Sequence, residues 1–77
     1  LAACVNIIPA IESVYRWQDK VEFATEYLLV IKTQDDCYTE LESAIQTLHP
    51  YELPEVVTVP IESGLPAYLD WINNNTK

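Results

Sequence analysis

Glycine, histidine, cysteine and basic residues are all scarce in these 77 residues, and each scarcity excludes something. Gly64 is the only glycine. A phosphate-cradling loop needs several, so P-loop and Rossmann nucleotide binding are excluded. Cys4 and Cys37 are the only cysteines and form no Cys-x-x-Cys pair, so a zinc ribbon and a thioredoxin site are excluded. Two thiols that look unpaired suit a reducing compartment, and a cytoplasmic location is expected. Four bases, Arg16, Lys20, Lys32 and Lys77, face twelve acids, for a net charge of −8. Nucleic acid would meet repulsion, and so would an anionic membrane surface. No apolar run approaches the roughly 20 residues of a membrane helix, and no secretory signal pattern is seen.

What is present is apolar. Some 49% of the residues are hydrophobic and only 21% charged, so the chain is expected to fold, as one domain over 1–77. A core this small is marginal, because burial must offset roughly 1.5 kcal/mol of ordering entropy per residue. The composition therefore predicts more apolar surface than a small monomer can hide. The acidity would attract divalent cations, although acidic surfaces commonly serve solubility alone.

The pattern along the chain predicts β-β-α-β-α, an α+β arrangement with an antiparallel sheet. Residues 3 to 17 read as a long strand, with Pro9 marking a bulge, bend or edge. Gln18-Asp19-Lys20 reads as a hairpin turn. Residues 21 to 33 form a second strand that is apolar on both faces, with Tyr27, Leu29 and Ile31 on one and Leu28 and Val30 on the other. Such a strand needs cover on both sides. Thr33 or Asp35 can cap a helix in which Tyr38, Leu41, Ile45 and Leu48 make one apolar stripe. Pro50 ends it at about His49. Val56 to Val59 read as a third strand, and Pro66 opens a short last helix.

His49 is the only histidine. At a helix end it serves as a dipole-complementing cap, its ordinary role. As a metal ligand it would join Glu52 and Glu55 within seven positions, one nitrogen and two carboxylates, a set suited to Cu(II), Zn or Ni. Cys4 and Cys37 are soft donors, or small buried hydrophobes. Tyr15 and Trp17, on one side of an edge-prone strand, favour a subunit interface over simple core packing.

Ala2-Ala3-Cys4-Val5-Asn6 with Ile8-Pro9, Tyr15-x-Trp17-x-x-Lys20, Leu29-x-Ile31-Lys32-Thr33, His49-Pro50-Tyr51-Glu52-x-Pro54-Glu55 and Tyr68-Leu69-x-Trp71 occur in that order. Together they resemble the CutA divalent-cation tolerance family. Asp19 departs from the glycine usual there. The resemblance implies a ferredoxin-like antiparallel sheet with helices on one face, assembled as a homotrimer, and no catalytic activity. It implies that the family's first strand and helix precede this segment, with Leu1-Ala2-Ala3 the end of that helix. It also implies binding of Cu(II) or another divalent cation by Cys4, His49 and Glu55. A cleft at the subunit boundary would contain Tyr15, Trp17, Lys20, Lys32, Tyr51 and Glu52. The alternative is a small-ligand sensor or scaffold trimer similar in fold to the PII signalling proteins. There Lys20 and Lys32 would suit an anion rather than a metal.

Overall fold

A computed structural model of the protein describes residues 1–76. Strand β1 (Cys4–Trp17) turns into β2 (Lys20–Lys32), a short 3-10 turn follows at Asp35–Cys37, and the helices are α1 (Tyr38–Leu48) and α2 (Pro66–Asn74). The strands pair antiparallel, from Cys4 opposite Lys32 to Trp17 opposite Lys20. The connection is a two-residue loop in which Gln18 (φ 49°) and Asp19 (φ 64°) are both left-handed. That is the turn whose twist matches the flanking strands.

Pro9 does what its missing N–H predicts. Ile8 pairs with Leu28 but Ile11 pairs with Glu26, so Pro9 and Ala10 together oppose Tyr27. Ala10 takes a left-handed φ of 58° to make this bulge. The bulge re-aims everything beyond it. Past it, Ile11, Ser13, Tyr15 and Trp17 stand opposite Glu26, Ala24, Glu22 and Lys20 and share their face. The aromatic pair of β1 is thereby brought to the face that carries Glu26.

Pro50 also acts as expected. Helix α1 stops at Leu48, and His49 is extended (φ −76°, ψ 135°) because the following proline disfavours helical geometry there. Pro66 occupies the first turn of α2. The small core lies where α2 ends against the 3-10 turn. Cys37 and Ile72 are its buried apolar side chains, at 5% and 3% exposure. Gln34 Nε2 donates to the Thr76 carbonyl (3.2 Å), and Thr76 Oγ1 donates to the Ile72 carbonyl (2.9 Å).

Three expectations are corrected. Val56 to Val59 form no strand, and the described residues hold a two-stranded sheet, in the order β-β-α-α. A strand needs a ladder partner, and none lies beside this segment, where Val57 and Val59 are exposed. Neither Thr33 nor Asp35 caps a helix by its side chain. Thr33 Oγ1 instead donates to the Leu1 carbonyl (2.6 Å), and Gln34 stands at the cap position. Leu1 to Ala3 are not helical; Ala3 N–H donates to the Lys32 carbonyl (2.9 Å) and prolongs the hairpin ladder.

The hairpin leaves the molecule open. Its radius of gyration is 14.8 Å, against about 11.5 Å for a compact chain of this length. It exposes 6586 Å², about 1,800 Å² more than a monomeric protein of its mass. Phe23 and Tyr27 on one face, and Ile8, Leu28 and Val30 on the other, are all exposed.

Candidate functional site

The His49-Pro50-Tyr51 turn lies against the middle of the hairpin. Together with Ile7, Thr25, Glu26, Tyr27 and Leu29 it lines an open groove of about 550 Å³. Its walls are mostly apolar, and its polar side chains are Thr25, Glu26, Tyr27, His49 and Tyr51. Proline placement explains why the turn is there. Pro50 expels His49 from α1, whose own N–H still donates to the Ile45 carbonyl (2.8 Å).

Within the turn, Tyr51 N–H donates to His49 Nδ1 (3.1 Å). The two rings meet edge to face, with centroids 4.8 Å apart. A neutral imidazole has one donor and one acceptor nitrogen. Since Nδ1 accepts here, the proton sits on Nε2. The Tyr51 hydroxyl lies near Glu26. Hydrogen-bonding proximity to Glu26, then the Glu26 charge, then burial and a smaller contribution from Tyr15, raise the Tyr51 pKa above its ordinary 10.0. Tyr51 thus sits between the helix end, through His49, and the hairpin strand that carries Glu26.

The expected residues fall into separate places. Tyr15 and Tyr51 are close enough to interact. Trp17 and Lys20 close the tip of the hairpin opposite one another. Lys32 pairs with Cys4 at the other end, twelve residues from Lys20, or roughly 40 Å at strand spacing. Cys4 is a half-buried free thiol. Glu52 and Glu55 are exposed beyond the groove. Among the described residues no three His, Cys, Asp or Glu side chains converge into a cation site. Cys4, His49 and Glu55 are therefore not assembled within one chain. Glu26 escaped the sequence reading. No local signal marked it, since Glu22, Thr25 and Glu26 are all polar positions of this half of the strand.

The comparisons with known proteins agree over the whole segment. The model of the CutA1 divalent ion tolerance protein family matches residues 1–75. The chain belongs to the CutA1 family. It is 47% identical over 76 residues to the divalent-cation tolerance protein CutA of Thermus thermophilus, covering 99% of this chain and 74% of that one. It is 46% identical to protein CutA of Mus musculus, where it spans 100% of this chain but 44% of the relative. A Thermus thermophilus CutA1 structure superposes with a TM-score of 0.96 at 46% identity, over 99% of this chain and 74% of that chain. CutA1 from Oryza sativa superposes at 0.95, with 46% identity, 99% and 70% coverage. These CutA proteins are named for ion tolerance, not for a reaction.

His49 and Glu26 line the same groove, but among the described residues no third His, Cys, Asp or Glu joins them, so one chain offers a single imidazole and a single carboxylate. His49 Nδ1 is already engaged by the Tyr51 N–H. One chain therefore does not complete a cation site here.

Proposed function

We propose that the protein is a non-catalytic, divalent-cation-binding CutA of the cytoplasm, working as a ferredoxin-like homotrimer with His49 as its central ligand. Cu(II) is the preferred ion, with Zn(II) as the closest substitute, because imidazole binds both well. The observation that carries this reading is the place of the lone histidine. It is held by Pro50 on a groove wall that also bears Glu26 and Tyr51. Cys4 and Glu55 serve as further donors, reaching His49 from neighbouring subunits. Trimer formation would cover the excess area of the hairpin, whose two apolar faces one chain leaves exposed. The PII-like alternative needs Lys20 and Lys32 around one anion. Their separation along β2 makes that arrangement depend wholly on other subunits.

Calorimetric titration of Cu(II) into the protein and into His49→Ala tests the reading. At least tenfold weaker binding by the variant is expected. Equal affinities would remove His49 as a ligand.

A further inference from the structure

We infer that the groove between the His49–Tyr51 turn and strand β2 binds an organic cation, an alkyl- or arylammonium ion whose charged head sits at Glu26 and whose apolar body lies along Ile7, Leu29 and Pro50. The inference is independent of the metal reading and needs no converging set of donors. The groove has a volume of about 550 Å³, inside the roughly 300–1,000 Å³ of small-ligand pockets. Its lining is mostly apolar, Glu26 is its one acidic side chain, and neither lysine nor arginine contributes to it. Aromatic rings stand beside that carboxylate. Tyr27 follows it in β2 and also lines the groove, and Tyr51 lies near it with Tyr15 close by. The face of a tyrosine ring is the negative part of its quadrupole, so rings and carboxylate attract the same kind of ligand.

No lysine or arginine among the described residues reaches Glu26. Across the ladder it faces Ile11. The described bases are Arg16, Lys20 and Lys32, all on the hairpin. Lys20 and Lys32 stand six residues to either side along β2, about 20 Å at strand spacing, and Arg16 is opposite Val21, five residues away. An ammonium head supplies the missing charge and meets the tyrosine rings at the same time. Other ligand classes fit less well. An anion would meet Glu26 without a compensating base, and a neutral ligand would leave the half-buried carboxylate uncompensated. The organic body matters as much as the charge, since Ile7, Leu29 and Pro50 offer apolar area that a hydrated metal ion does not use. The net charge of −8 raises the local concentration of every cation but does not select this groove, so the test must separate the two effects.

Benzyltrimethylammonium titrated into the full-length, assembled, nitrogen-15-labelled protein, with a metal chelator present and amide shifts followed by NMR, tests this. Phenylmethanol and phenylmethanesulfonate are the neutral and anionic probes of similar shape. The ammonium ion should bind at least tenfold tighter than either, with the largest shifts at Glu26, Tyr27 and Tyr51. Glu26→Gln should weaken it at least tenfold, to the level of phenylmethanol. Glu22→Gln removes the same charge about 13 Å away on the same strand and should change it less than twofold. Equal affinity for the three probes, tighter binding of the sulfonate, or equal losses in Glu26→Gln and Glu22→Gln would overturn the inference. If Glu26→Gln unfolds, the ranking of the probes and the map of shifts on the wild-type protein decide it. Because the chelator holds divalent ions away, failure here leaves His49 as a metal ligand untouched, and failure of that reading leaves this groove untouched.

Discussion

Asp19 and Gln18 form the hairpin loop in a conformation neither prefers, and replacing Asp19 by glycine should stabilise the protein. Asp19 has a φ of 64° and Gln18 one of 49°. A non-glycine residue in this region costs about 1–2 kcal/mol, with Asp near the lower end because its short polar side chain finds local partners. Glycine removes that cost, but its larger freedom in the unfolded chain takes back about 0.5 kcal/mol. The net gain is about 0.5–1 kcal/mol, or roughly 2–8 °C in Tm for a domain of this size. Gln18→Asn should gain a similar amount, since Asn tolerates the left-handed region and keeps a side chain. Lys20→Gly is the control. Its φ is not positive, so glycine there brings only flexibility and should cost about 0.5–1 kcal/mol. Thermal unfolding by circular dichroism at one fixed protein concentration reads all three, because subunit association makes Tm concentration-dependent. A Tm for Asp19→Gly at or below wild type would refute the strain reasoning. So would a Lys20→Gly variant that gains as much.

Other expectations follow from burial and hydrogen bonding. Ile72 is one of two buried apolar side chains among the described residues, and Ile72→Ala should cost about 2–3 kcal/mol in a denaturant titration; a cost near zero would contradict a core at the end of α2. Cys37 is 5% exposed and Cys4 half-buried, so a thiol reagent should modify Cys4 at least tenfold faster in the native protein. Equal rates would show that the 3-10 turn opens freely. The Tyr51 pKa is raised by the Glu26 hydrogen bond and charge, so Glu26→Gln should lower it in an ultraviolet titration. The sign for stability follows. A raised pKa favours the neutral phenol in the folded state, so its contribution is complete below pH 10 and lost as pH rises through the folded pKa.

Local geometry was the legible part of this sequence. Pro9 dictates the bulge because it lacks an N–H, Pro50 ends α1 because it restricts His49, and Pro66 opens α2 because its φ is already helical. Each of these constraints acts within one or two residues. The failures are non-local. Val56 to Val59 have strand composition, but among the described residues no ladder partner lies beside them. Thr33 has a capping side chain, but the Leu1 carbonyl takes its hydroxyl. At the site, His49 and Tyr51 stood out through the His-Pro-Tyr run. Glu26 did not, because a carboxylate in a strand becomes meaningful only when Tyr51, 25 positions later, is placed on it. Lys20 and Lys32 could have been separated on paper, since twelve residues of one strand keep them apart.

The central claim is that His49 binds a divalent cation, and X-ray absorption at the zinc edge of the Zn(II)-loaded protein tests it most directly. An imidazole nitrogen at about 2.0–2.1 Å, with the outer-shell scattering of a histidine ring that disappears in His49→Ala, is the predicted result. A shell of oxygens alone, or an imidazole signal that survives in His49→Ala, would contradict the account.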